Sequence, residues 1–133
     1  MGAAPNDGTG AQLREAFMQV NARFAAVQPL VASQFLNTGG TLAVDLSKGR
    51  YVRASLPADV PVLLFTNWLP APLLDEVWLD VTSFGHTIDL SGIRWAGTAV
   101  PALTRSGRDI FRLLTTDGGI TVFGQVFGQG FVR

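Results

Sequence analysis

Between Leu13 and Val31 the apolar residues Leu13, Phe17, Val20, Phe24, Val27 and Val31 recur at alternating intervals of four and three. That spacing is the heptad seam of an α-helix, and a strand cannot use it, because strand side chains alternate with period two. Thr9 and Gln12 supply a capping box in which each side chain satisfies an orphan backbone N–H. Pro29 can neither donate to Ala25 nor leave that turn unclashed, so the regular helix ends there. The spacing therefore predicts an N-terminal α-helix from Gly10 to Gln28 within a stalk of residues 10–31, preceded by a flexible arm over residues 1–9. A lone helix of this length is marginal in water, so its stripe must be buried. The stripe lies either on the chain's own β-domain or on the same stripe of other copies. The strict seam, flanked by Ala11, Ala16, Ala22, Ala25 and Ala26, favours the second reading and makes the six seam residues candidates for oligomerisation.

After a connector at Ser33–Gly40 the period changes to two. Thr41–Leu46 places Leu42, Val44 and Leu46 on one face, Tyr51–Leu56 follows, and Val62–Trp68 is a nearly continuous apolar run. A run of that kind is a strand buried on both sides or one with a partner chain on its outer face. Glu76–Thr82 alternates, Thr87–Trp95 carries Ile88, Leu90 and Ile93, and Asp109–Thr115 and Ile120–Phe127 flank the turn Thr116-Asp117-Gly118-Gly119. The fold class expected is mainly β. It is a β-sandwich of seven or eight short antiparallel strands over residues 41–133, preceded by the helix. In the tail, Phe123, Phe127 and Phe131 share one strand face and Gly124, Gly128 and Gly130 the other. The three Phe are candidates for an interface; alternatively they close the chain's own sandwich as core residues.

Composition points the same way. With 47% hydrophobic and only 15% charged residues, a chain of 133 residues struggles to hide its apolar surface alone, and shared interfaces follow. Ten bases balance ten acids without a basic run, so no nucleic-acid patch is expected. Nine of those bases are Arg, which suits bidentate ion pairs at interfaces, although a GC-rich genome would produce the same bias. The absence of Cys excludes disulfides and thiolate chemistry. Residues 1–10 lack the basic and apolar regions of a signal peptide, and Pro29, Asn37, Gly39 and Gly40 interrupt Phe24–Val44, so no membrane insertion is expected.

The residues offer little catalytic chemistry. Ser83, His86 and Asp89 are close in sequence, but strand parity turns His86 away from the other two and no nucleophile elbow accompanies them. His86 reads as a turn residue, and no catalytic residue, enzymatic activity or cofactor is expected. Asp75, Glu76 and Asp80 have no metal-loop spacing and read as a solvated strand edge, so no metal is expected either. Tyr51, Trp68, Trp78 and Trp95 are candidates for stacking on sugars, or else for the core.

Two stretches resemble virion structural proteins of tailed bacteriophages. In Leu13–Phe24 the matches are Arg14, Ala16, Phe17, Val20, Asn21 and Phe24. From Trp95 to Gly119 they are Trp95, Gly97, Thr98, Pro101, Leu103, Thr104, Gly107, Asp109, Phe111, Asp117, Gly118 and Gly119. Together they cover about half the chain, and Arg23 and Thr98 depart from the family pattern. The resemblance implies a homotrimer in the virion, a short tail-fibre or head-fibre module attached to the particle through its N-terminal segment, with other tail or capsid proteins as partners. A capsid decoration (cement) protein is the alternative, and the chain's length suits it. A module that binds a host-surface glycan is a third reading, and a small hydrolase the last.

Overall fold

The computed structural model describes residues 32–97 and 99–132. The expected arm and helix, with Leu13, Phe17, Val20, Phe24, Val27 and Val31, lie outside the described residues. Among the described residues eight strands run in order: β1 (Ser33–Asn37), β2 (Thr41–Asp45), β3 (Tyr51–Ser55), β4 (Val62–Thr66), β5 (Asp75–Thr82), β6 (Arg94–Trp95), β7 (Arg108–Thr115) and β8 (Phe123–Phe131). A 3-10 turn at Leu46–Lys48 follows β2. The strands form a six-stranded sheet of order β1-β3-β5-β7-β8-β6 and a two-stranded sheet of β2 and β4.

The protein is mainly β, as the period-two segments imply, but the antiparallel sandwich is corrected. β1 pairs parallel with β3, β3 with β5, β2 with β4 and β6 with β8. Only β5–β7 and β7–β8 are antiparallel. From β1 to β5 the chain alternates between the two sheets, so that each turn of a flattened coil lies on the one before it. The short Thr38–Gly40 corner has the length of a hairpin loop, yet it delivers β2 to the opposite layer. It does so because the corner is bonded to the next corner and not closed on itself: the Gly40 N–H donates to the Asp59 carbonyl at 2.9 Å. Val60 continues the stack, donating to Thr87 O at 2.7 Å and accepting from Asp89 N at 2.9 Å.

Alternation then builds the core. Leu42 and Val44 of β2 face Val52 and Ala54 of β3, Val77, Leu79 and Val81 of β5, and Phe111 and Leu113 of β7 in one buried cluster. β4 is buried on one side only: Leu63 and Phe65 pack against the cluster while Val62 and Leu64 are exposed. Two further expectations change. The Ser33–Gly40 connector contains β1, so the β-domain starts before residue 41. Thr87–Trp95 is a loop whose Ile88, Leu90 and Ile93 enter the core, with only Arg94–Trp95 in a sheet.

The second corner of the coil contains a buried ion pair. Arg50 Nε and Nη2 donate to Asp75 Oδ1 and Oδ2 at 3.0 and 3.2 Å. Arg50 Nη1 donates to Leu46 O at 2.6 Å, Nη2 also reaches Asn67 O at 3.3 Å, and Leu69 N donates to Asp75 Oδ2 at 2.9 Å. The pair satisfies itself and three backbone groups while shielded from solvent, which is the condition for a buried charge pair to be tolerated. It links the end of one coil turn to the start of β5.

Candidate interaction surface

The inner face of the six-stranded sheet is filled by the core, so its chemistry lies on the outer face. Strand parity sends Trp78, Asp80 and Thr82 of β5 outward, opposite to Val77, Leu79 and Val81. Directly across in register stand Tyr51 and Arg53 of β3 and Arg112, Ile110 and Arg108 of β7. On β8 the register slips: Phe111 pairs with Val126 while Ile110 pairs with Gly128, so Phe127 is the extra residue of a bulge. The bulge aims Phe127 across β7 at Trp78. Their rings meet edge to face, with centroids 5.2 Å apart and planes at 79°. Phe131 stacks on Phe127 at 6.3 Å. A Cβ at position 128 would lie 2.4 Å from the Phe131 ring, so Gly128 is what lets that ring lie down on the strand.

Beside this aromatic stripe lies a charged strip. The buried Asp80 carboxylate accepts from Tyr51 Oη at 2.7 Å and from Arg108 Nε at 3.0 Å, and Arg108 Nη2 also donates to it. Burial pushes the Asp80 carboxyl up, but hydrogen bonds from Arg108 and Tyr51, with the Arg108 and Arg53 charges, outweigh burial and hold it below its ordinary value. Burial, and then the hydrogen bond to Asp80, raise the Tyr51 phenol. The bond and charge of Asp80 raise Arg108. Arg112 Nε donates to Glu76 Oε1 at 3.2 Å, and the Arg53 guanidinium lies 5.6 Å over the Phe35 ring. The three carboxylates thus do not form a solvated edge: Asp75 and Asp80 are buried in pairs with Arg, whose partners lie too far along the chain to be seen from local spacing.

The face is nevertheless bare. Phe35 is 58% exposed, Phe123 55%, Phe127 61% and Phe131 44%. The alternative in which the three tail Phe close the sandwich is therefore wrong; they stand on its outside. Sequence reasoning grouped these three but missed Trp78, Ile110 and Phe35 as members of the same face. The signal was there for Trp78, which is out of phase with Val77 and Leu79. On the other layer Val62 and Leu64 of β4 are exposed, and Leu73 and Leu74 after β4 and Ile120 before β8 are exposed loop residues. There the edge of β4 not paired with β2 borders a cleft whose far wall includes Asp89, Ser91, Gly92, Ile93 and Val122.

The other sequence candidates separate. Ser83 donates its hydroxyl to Thr104 O at 2.6 Å, His86 Nδ1 lies 3.4 Å from Asp59, and Asp89 accepts from the Ser91 backbone and hydroxyl. No relay joins the three. His86 N donates to Ser83 O across the turn containing Phe84 and Gly85. Among the described residues no three metal-ligating side chains cluster. The four aromatic residues do not form one platform. Trp95 packs edge to face on buried Phe111 at 5.4 Å, Trp68 packs on Phe65 at 5.3 Å, and only Tyr51 and Trp78 neighbour each other on the outer face.

The Trp95–Gly119 residues are loop builders. The Asp109 carboxylate accepts from Thr104 N and Oγ1, both at 2.7 Å, and from Gly130 N at 2.9 Å. Asp117 accepts from Thr115 Oγ1 and Thr121 N, both at 2.9 Å. The two aspartates close the loops that flank β7 and hold β8 against it. Compared with known proteins, the chain matches no family model, no curated protein and no solved structure.

Proposed function

We propose that the chain is a structural subunit of a tailed-bacteriophage virion, a homotrimeric short fibre or spike attached to the particle through its N-terminal segment. The observation that carries this reading is the large apolar surface left open on both layers of the β-domain, Phe123, Phe127 and Phe131 on one and Val62 and Leu64 on the other. A small domain gains by covering such surface with copies of itself or with other virion proteins. The resemblance of Leu13–Phe24 and of Trp95–Gly119 to phage virion modules supplies the setting and the number of copies. The side chains with chemical potential are engaged in holding the fold: Arg50 with Asp75, Arg108 with Asp80, and Ser83 with Thr104. A capsid decoration role is the second reading. It is favoured by the two apolar surfaces lying on opposite layers, as in a subunit that touches neighbours on two sides.

Light scattering on the purified full chain tests the assembly. A mass of three chains at micromolar concentration is expected, and a monomer overturns the homotrimer in both readings. Labelling of intact particles then separates tail from head: label at the tail supports the fibre or spike, and label across the capsid surface supports decoration. Particles without the protein overturn both.

A further inference from the structure

The flattened coil completes its two-stranded layer only in part. In the turn after β5, Val60 N donates to Thr87 O at 2.7 Å and Asp89 N to Val60 O at 2.9 Å, so Thr87–Asp89 begins a parallel rung against the approach to β4. The rung then stops. The Asp89 carboxylate accepts from Ser91 N at 3.0 Å and from Ser91 Oγ at 2.6 Å, and Ile93 N donates to Leu90 O at 3.2 Å. Those bonds turn the chain inward, where Leu90 and Ile93 join the core. Among the described residues β4 therefore has a partner, β2, on one side only. Its other edge faces a cleft of about 420 Å³, in the place where the rest of the rung would lie.

We infer that this cleft receives an extended peptide segment of another protein, which pairs its backbone with the unpaired edge of β4 and sets a basic residue beside Asp89. A row of backbone N–H and C=O groups is matched by another strand, the mode of recognition in which a peptide adds itself to a sheet. β4 carries none of the devices that blunt an edge. Val62–Thr66 contains no charged residue and no Pro, and its register with β2 runs without a bulge. Its five residues offer about 16 Å of ladder at roughly 3.3 Å each. The cleft is the size of a ligand pocket, and Phe65, Trp68, Ile93 and Val122 on its walls suit β-branched or aromatic side chains. Asp89 is the one charged residue among those that line it. Hydrogen bonds from Ser91 hold the Asp89 carboxyl below its ordinary value, so it is ionised at neutral pH. A base on the incoming segment meets that charge, and an acid is repelled by it. The insertion needs neither the virion setting nor a particular number of copies, so it stands or falls separately from both.

Amide hydrogen exchange of the full chain, read residue by residue by NMR, tests this. The probe is the end-blocked peptide Lys-Thr-Val-Thr-Val-Thr-Lys. In the free chain the β4 amides that point at the cleft should exchange fast. At a peptide concentration about ten times its Kd they should slow about tenfold. The same peptide with Pro at two adjacent central positions, one of which must face β4, should bind at least several-fold more weakly. The peptide ended by Glu instead of Lys should also bind more weakly at low salt, and Asp89→Asn, which keeps an oxygen for Ser91, should erase that preference. Gly92→Phe fills the cleft and should abolish the slowing. A Cβ at position 92 meets nothing within 4 Å, so the fold accepts it, and Gly92→Leu is the second variant should circular dichroism show the first misfolded. Cleft-side β4 amides that are already slow in the free chain, or become slow as the chain alone is concentrated, overturn the inference, because the chain or a second copy of it then fills the edge. So does the absence of slowing at millimolar peptide, equal binding by the Pro or Glu peptide, or undiminished binding to a folded Gly92 variant. Light scattering of the unmodified chain reads the homotrimer independently of every one of these outcomes.

Discussion

Replacing Asp75 by Ala should destabilise the fold more than any other single carboxylate truncation in the coil. Arg50 is 6% exposed and Asp75 1%. Removing the carboxylate strands the guanidinium away from water with only the Leu46 and Asn67 carbonyls, and it orphans the Leu69 N–H. Breaking a buried pair from one side costs about 3–5 kcal/mol, most of it the penalty of the charge left behind. With a urea m-value of about 2 kcal/mol/M, the unfolding midpoint should fall by roughly 2 M. The double replacement Arg50→Met with Asp75→Leu removes both charges and should recover most of that loss, because the pair's own desolvation cost goes with it. Equilibrium urea unfolding followed by Trp fluorescence reads both variants. If Asp75→Ala loses less than about 1 kcal/mol, or if the double variant is as unstable as the single one, the corner is not held by a desolvated ion pair and the reasoning is wrong.

Other expectations follow from the same geometry. Phe111→Ala empties a fully buried site against Trp95 and should cost about 3–5 kcal/mol in the same urea assay. Gly119→Ala combines a φ of 87° with a Cβ 2.2 Å from the Trp68 ring, so it should cost at least about 1 kcal/mol and shift Trp68 emission in the native state. The folded-state pKa of Asp80 lies below its ordinary 3.8, so in acid the unfolded chain binds the proton first. This contribution is complete above the unfolded value and is lost as pH falls through the folded one. The urea midpoint should drop below about pH 4, and less steeply in Asp80→Asn. Thr104→Val removes the hydroxyl that Asp109 accepts and should cost about 1–2 kcal/mol, most visibly as faster amide exchange in β8.

Local chemistry was readable where it closes on itself. The Asp117-Gly118-Gly119 turn, the alternation of Val77, Leu79 and Val81, and the inward pair Leu42 and Val44 all act over a few residues, and the structure places each accordingly. β1 was missed because Gln34 and Leu36 face inward where an apolar pair would be expected; Gln34 serves there by donating to Asp45 O and Gly49 O at 2.8 and 2.9 Å. The candidate face was half readable. The spacing of Phe123, Phe127 and Phe131 puts them together, but only the register of β8 on β7 decides that they face outward, and its bulge that Phe127 meets Trp78.

The amino-acid sequence by itself determined that the region after Gly40 is β-structure, which side chains alternate inward, where β7 turns back into β8, and that apolar surface exceeds what one small core can hide. Only the tertiary structure decided that strands stack in parallel as a coil, that Asp75 and Asp80 are buried partners of Arg50 and Arg108, and that the tail aromatics stand outside. The division follows from range. Periodicity and turn preference are set by neighbours along the chain. Parallel pairing is set instead by corners bonding to corners, Gly40 to Asp59 and Val60 to Thr87 and Asp89, and by an Arg meeting an Asp 25 residues on.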